Sequence, residues 1–234
     1  MPLGRGPNRR QTPADVRAAT HNASEKVGSL KVQGRYHQLP THLEDHFHIT
    51  SEVLGSGMNG SVFVAKKKHT GQKFAIKSLL FGNLEPAEKK MLANEVELFL
   101  RMDHPKITRL YDVYEAEDRV SLVMELMSGG ELFDRACQKK VFQETEAAFI
   151  TRQMLLAVNY LHHEGICHRD LKLENFLYDA PGSDYIKLID FGLSKLSPSR
   201  RSSMHEACGT LHYAAPEVLK QKYCYGFFSQ GGLL

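Results

Sequence analysis

Between His168 and Gly192 the chain reads His168-Arg169-Asp170-Leu171-Lys172-Leu173-Glu174-Asn175 and, after a gap, Asp190-Phe191-Gly192. These residue types suit chemistry on a phosphate. Asp170 can accept a proton from a hydroxyl. Asn175 and Asp190 offer the hard oxygen ligands that magnesium prefers. Lys172 can neutralise a phosphoryl group in flight. A lone Asp-Phe-Gly carries little information, but the two motifs in this order and at this separation are specific.

On these residues the stretch resembles the catalytic core of eukaryotic protein kinases. Lys172 after the His-Arg-Asp triplet is similar to serine/threonine rather than tyrosine kinases. Gly129-Gly130-Glu131-Leu132-Phe133-Asp134-Arg135 and Gly192-Leu193-Ser194-Lys195 are most similar to the calcium-dependent and calmodulin-dependent branch. The resemblance runs from about Phe47 to Leu219. It implies ATP and Mg2+ as cofactors and Ser or Thr hydroxyls of proteins as acceptors. Asp170, Lys172 and Asn175 would be catalytic, with Asn175 and Asp190 as metal ligands.

Upstream lies Gly55-Ser56-Gly57-Met58-Asn59-Gly60, followed by Ser61 and Val62. Glycines let backbone amides approach phosphate oxygens with no Cβ in the way. A dinucleotide site needs a helix directly after the glycines and an acid about twenty residues on. Here a strand pattern follows, and the later residue is Lys77, so an oxidoreductase is disfavoured. Lys77 would clamp nucleotide phosphates, held by Glu95, a glutamate on an otherwise apolar helix face. By the resemblance, Leu54, Val62, Ala75 and Leu177 sandwich the adenine. Met124, Glu125 and Met127 line its slot, with Met124 as gatekeeper. Phe99, Leu110, His168 and Phe191 match the kinase regulatory spine. Glu131 and Glu174 would face the substrate and favour basic residues upstream of the target hydroxyl, and Glu131 can also touch the ribose. Thr210 would join Asp170 and Lys172 as a fixed part of the substrate groove. Arg169 could pair with a phosphorylated loop residue, Ser202 or Ser203 beside Arg200 and Arg201.

The elements that must position these residues follow from periodicity. Residues 1–45 carry many basic side chains, early glycines and prolines, and isolated apolar residues, the composition of a disordered basic leader. From His46, runs rich in Val, Ile and Phe at His46–Leu54, Ser61–Lys68, Gln72–Leu80, Arg109–Glu115 and Val120–Leu126 predict a five-stranded antiparallel sheet. One helix begins near Pro86, with Met91, Glu95, Leu98 and Met102 on one face. The next part is helical over Glu131–Cys137 and Thr145–His163, the latter stopped near Gly165. Short strands are expected at Phe176–Tyr178 and Ile186–Ile189. The fold class is α+β, a kinase-like bilobal fold. Its parts are a leader at 1–45, an N-lobe at 46–126, an incomplete helical C-lobe at 127–219 and a tail at 220–234.

Composition sets outer limits. The chain has 234 residues and a formal net charge of only +3, so bulk charge supplies no argument for nucleic acid. Cys137, Cys167, Cys208 and Cys224 are scattered without paired spacing, which suits a reducing, cytoplasmic setting. No apolar run reaches the length of a membrane span, and the first residues are unlike a secretory signal. The pattern departs from the family after Leu219. No Trp is present, and the segments expected to cover the apolar underside of the 145–163 helix are not found. No calcium-loop pattern occurs, so calcium-sensing elements are expected outside this chain. A truncated kinase is the expectation, with a non-catalytic nucleotide-binding or scaffold fragment as the alternative.

Overall fold

A computed structural model describes residues 14–28, 32–57, 60–81, 84–196, 203–204, 208–221 and 223–224. The chain divides into two units, Met1–Arg101 with Leu110–Met124, and Met102–Arg109 with Glu125–Leu234.

The first unit is built on a sheet of β1 (Tyr36–His37), β2 (Phe47–Gly57), β3 (Gly60–Lys67), β4 (Lys73–Leu80), β5 (Leu110–Glu115) and β6 (Arg119–Met124). Their spatial order is β1-β5-β6-β4-β3-β2. Strands β2 to β6 pair antiparallel; the short links of β2–β3, β3–β4 and β5–β6 require it, whereas β4 and β6 are joined through residues 81–118. Gly71, at φ +69°, supplies the left-handed residue between β3 and β4. Alternation along β4 sends Phe74 and Ile76 to one face, where they join Leu43, Phe47, Ala65, Tyr114 and Val123 in a buried cluster. Ala75 and Lys77 take the other face.

Two sequence expectations fail in this unit. The sheet has six strands and is mixed, because β1 runs parallel to β5, with Tyr36 opposite Val113 and His37 opposite Tyr114. The Val113 N–H donates to the Arg35 carbonyl (2.7 Å), and the His37 ring stacks on Tyr114 at 4.5 Å between centroids. The disordered leader is likewise corrected from Ala14 onward. Ala14–Val27 forms helix α1, and Val16, Ala19, Ala23 and Val32 are buried. Burying each valine is worth about 1.5–3 kcal/mol. The helix has an acid in its first turn, a lysine in its last, and Gly28 at φ +94° after it.

A single turn, α2 (Leu43–His46), leads into β2. Helix α3, Pro86–Arg101, is exposed through most of its first turns and buried almost all round from Leu92 to Leu100. Of its expected inner face, Glu95 and Leu98 are buried. Met91 lies in the exposed half, and Met102 falls beyond the helix end, in the second unit.

The second unit contains α4 (Leu132–Lys139) and α5 (Glu144–His163). Gly165, at φ +73°, follows α5. Ile150, Met154, Ala157 and Leu161 are buried along α5, whereas Phe149 and Leu155 are exposed. The short pairs are β7 (Ile166–Cys167) with β10 (Lys195–Leu196), β8 (Phe176–Tyr178) with β9 (Ile186–Leu188), and β11 (Ser203–Met204) with β12 (Tyr223–Cys224). Helix α6 is one turn, Pro216–Leu219. Residues 102–109 belong here rather than to the N-lobe because of their bonds. Thr108 N–H donates to Leu188 O (3.0 Å), Leu188 N–H to Lys106 O (2.9 Å), and Lys106 Nζ to Gln153 Oε1 (2.6 Å).

Among the described residues no helix is long and apolar enough to cross a membrane. Gly129 is packed so tightly that a Cβ would collide with the Ala180 carbonyl and come within 2.5 Å of Tyr178 Cβ. Gly129→Ala should therefore destabilise the chain by about 1–3 kcal/mol, read as a lower denaturant midpoint. An unchanged midpoint would contradict this packing.

Candidate active site

In the first unit the glycine-rich stretch is the turn of the β2–β3 hairpin, with Gly55 opposite Val62, Ser56 opposite Ser61 and Gly57 opposite Gly60. Met58 and Asn59 lie outside the described residues. Gly60 has φ +115°, and a Cβ there would come within 2.9 Å of the Ser78 carbonyl, so only glycine fits. Leu54, exposed, falls in the irregularity between Val53 and Gly55. Cross-strand register aligns Val62, Lys77 and Leu122 in one row, and Val64, Ala75 and Met124 in the next. On this face Lys77 Nζ reaches Glu95 Oε1 at 2.6 Å, with side-chain exposures of 12% and 0%. Phe99 and Leu110 are both buried.

In the second unit Glu125 donates its N–H to Arg109 O (2.9 Å), and its carboxylate is held by Lys187 Nζ (2.7 Å). Met127 is buried. Residues 129–131 run beside β8: Gly129 N–H donates to Tyr178 O (3.0 Å) and Tyr178 N–H to Gly130 O (2.9 Å). Glu131 bridges to Leu177. That ladder sets Glu131 near Glu174. Burial, then the charges of Asp134 and Glu174, push the Glu131 carboxyl upward against the pull of Lys172.

Asp170, Lys172, Asn175 and Thr210 form one hydrogen-bonded set. Asp170 Oδ1 accepts from the Thr210 N–H (2.8 Å) and hydroxyl (2.7 Å). Lys172 Nζ lies 2.9 Å from Asp170 Oδ2 and donates to Thr210 Oγ1 (3.0 Å). Asn175 Nδ2 donates to the Asp170 carbonyl (2.7 Å). Burial opposes ionisation of Asp170, but the bonds from Lys172 and Thr210 prevail and hold its carboxyl below the usual aspartate range. Burial likewise acts against the Lys172 charge, and Asp170 overrides it, leaving the ammonium more firmly protonated. His168 is buried, which pushes its imidazole pKa down. Its ring meets Phe191 edge-on at 5.2 Å, and its backbone carbonyl accepts from Ser194 Oγ (3.3 Å).

Asp190 is exposed, at φ +59°, with Oδ1 accepting from Gly192 N–H (3.2 Å). Asn175 donates Nδ2 to Asp170, and its amide oxygen and the Asp190 carboxylate are each hard oxygens of the kind magnesium takes. Among the described residues no group of three or more His, Cys, Asp or Glu could cage a metal. Two protein oxygens completed by phosphate and water is the arrangement magnesium favours.

Sequence reading missed several contributors. Gly209, at φ +100°, approaches Arg169 so closely that a Cβ would strike its carbonyl; this contact brings Thr210 to Asp170. Tyr213 OH donates to Glu174 Oε2 (3.3 Å). Arg169, expected to await a phosphate, donates Nε to Leu193 O (2.6 Å). Ser202 lies outside the described residues, and Ser203 is placed only by its strand, opposite Cys224.

The family model described as protein kinase domain matches residues 48–227. The chain is 43% identical over 179 residues to human calcium/calmodulin-dependent protein kinase type IV, covering 76% of this chain and 37% of that protein. It is 40% identical over 181 residues to calcium/calmodulin-dependent protein kinase type 1 of Macrobrachium nipponense, covering 77% of this chain and 52% of that one. It is 38% identical over 190 residues to calcium-dependent protein kinase 3 of Plasmodium yoelii yoelii, covering 78% and 34%. The chain thus spans between a third and about half the length of these relatives.

The Asp170 shift has a test. Its folded pKa is depressed, so the bonds from Lys172 and Thr210 contribute stability above about pH 4 that is lost as pH falls through the folded value. Thr210→Val should raise the Asp170 pKa toward the ordinary aspartate range in a carboxyl-carbon NMR titration. A pKa that stays put or drops would rule out the hydroxyl's part in the shift.

Proposed function

The chain belongs to the protein kinase family, on its calcium- and calmodulin-dependent branch, and from that premise we propose that it transfers the γ-phosphoryl group of ATP to Ser or Thr hydroxyls of proteins. The observation that carries this reading is the set formed by Asp170, Lys172, Asn175 and Thr210. Asp170, kept ionised by its neighbours, orients the acceptor hydroxyl and takes its proton. Lys172 steadies the charge that develops on the moving phosphoryl group. Lys77, fixed by Glu95, holds the nucleotide phosphates. Asn175 and Asp190 would hold Mg2+, which supplies charge neutralisation on the phosphates when bound. The glycine turn with Ser56 and Ser61 would offer backbone amides to the phosphates. Leu54, Val62, Ala75, Met124, Glu125, Met127 and Leu177 would surround the base.

Glu131 and Glu174, with Asp134 nearby, crowd negative charge. An arginine or lysine upstream of the acceptor would relieve that crowding, so basic substrates are part of the proposal. Calcium control would be supplied by elements outside this chain. A cytoplasmic setting is part of the proposal, on the scattered spacing of Cys137, Cys167, Cys208 and Cys224.

The test is transfer of radiolabelled γ-phosphate to a serine peptide with upstream arginines. Asp170→Asn and Lys77→Met should each lower turnover by about 10²–10⁴-fold. Near wild-type turnover in either variant defeats the assignment. Stabilisation by ATP in a thermal shift, without transfer, would favour the non-catalytic scaffold instead.

A further inference from the structure

We propose that residues 14–28 and 32–37 form a brace that sets helix α3, and through it the Glu95 carboxylate, against Lys77. The proposal rests on the reading that Lys77 and Glu95 act together on nucleotide phosphates. It concerns residues that reading does not use.

Glu95 and Glu97 are two positions apart, about 200° around a helix, so they leave α3 on opposite sides. Both are buried, at 0% and 8% exposure. Lys77 meets the first. The second is met by Asn22 of α1, whose Nδ2 donates to Glu97 Oε2 (3.2 Å), and by Arg101, which donates to Oε1 (3.1 Å). The helix is therefore pinned by polar contacts on both flanks.

The apolar contact has the same layout. Val16, Ala19 and Ala23, at helical spacing, are 0–4% exposed, and α1 packs against α3. Small side chains let two helices approach closely, so little room is left for α3 to roll. The end of α3 is held as well. Arg35 donates Nη2 to the Leu100 carbonyl (2.7 Å), one of the last-turn acceptors that a helix cannot satisfy internally. Its Nη1 donates to the Leu110 carbonyl (3.4 Å), and its own carbonyl accepts from Val113 N–H. One arginine thus joins the helix end to β5.

A roll of α3 by one residue would swing Glu95 through about 100° and away from Lys77. Unseating α1 would also leave Glu97 without Asn22 and open the flank of α3 to water. Asn22 and Arg35 are positioning residues; neither is assigned a place at the substrate.

The experiment uses the full chain with two α1 positions changed, Ala19→Glu and Ala23→Glu together, and Arg35→Ala separately. Hydrogen exchange is followed on α3 and, for comparison, on β4 and β6. Magnesium-ATP affinity is measured by calorimetry in the wild-type and Glu95→Gln backgrounds. Unseating α1 should strip protection from α3 while β4 and β6 keep theirs. It should weaken magnesium-ATP about tenfold in the wild-type background and less than about twofold when Glu95 is already replaced. Unchanged protection of α3, or an equal loss of affinity in both backgrounds, would overturn the brace. If the double variant also loses β4 protection, Arg35→Ala, which spares the apolar contact, is judged by the same two criteria. If the unaltered chain binds no magnesium-ATP, the proposed function has failed; the brace is then decided by the exchange pattern alone.

Discussion

A carboxylate with no exposed surface must be met by a cation, and that need organises the first unit. Glu95 is such a group, and Lys77 answers it at 2.6 Å. Removing one partner of a buried pair costs about 3–5 kcal/mol, whereas assembling both yields little net stability. The pair is therefore better understood as a constraint than as a source of stability. It dictates which face of β4 carries Lys77, which side of α3 turns inward, and where along the helix the match occurs. The apolar rows on β3, β4 and β6 and the second contact layer from α1 fit that geometry.

The second unit meets a similar demand with hydrogen bonds. Asp170 is half-buried, and its oxygens are occupied by Thr210 and Lys172. Dipoles and charges held in this way would need no rearrangement in the proposed transfer, which is what electrostatic preorganisation requires. The backbone bears a cost for this. Arg169 and Asp190 sit at φ +68° and +59°, a region worth about 1–3 kcal/mol of strain for residues other than glycine. Each is held there locally, Arg169 by its bond to Leu193 O and Asp190 by the Gly192 amide.

Much of this was legible before any coordinates. Strands β2 to β6 are readable because alternation and short turns are local signals. Helix α5 is readable because Ile150, Met154 and Leu161 keep period over many turns. The catalytic motifs stand out because several residue types coincide at fixed spacing. What stayed hidden depends on partners far along the chain. Val16, Ala19 and Ala23 are an apolar stripe, but alanine is a faint hydrophobic signal amid basic residues. The partner that validates the stripe lies 75 positions away, where Asn22 meets Glu97. The better clue was in α3, whose stretch from Leu92 to Leu100 is apolar on two flanks and so needs two neighbours. Residues 102–109, which periodicity alone groups with the sheet, fall in the second unit for a related reason. Their pairing with Leu188 is invisible to periodicity. Gly209 carries no local mark of the close approach it makes to Arg169.

The two-residue strand β1 has a consequence for solution behaviour. Without it, β5 would end the sheet with unpaired amides and carbonyls facing outward, a template on which another chain can add a strand. Arg35 to His37 occupy that border at Val113 and Tyr114, where the flanking side chains are aromatic or β-branched and suited to intermolecular pairing. Arg35 to His37 are in this sense a guard against self-association as well as a structural layer, and a chain trimmed to the family-matched region would carry an open, sticky rim.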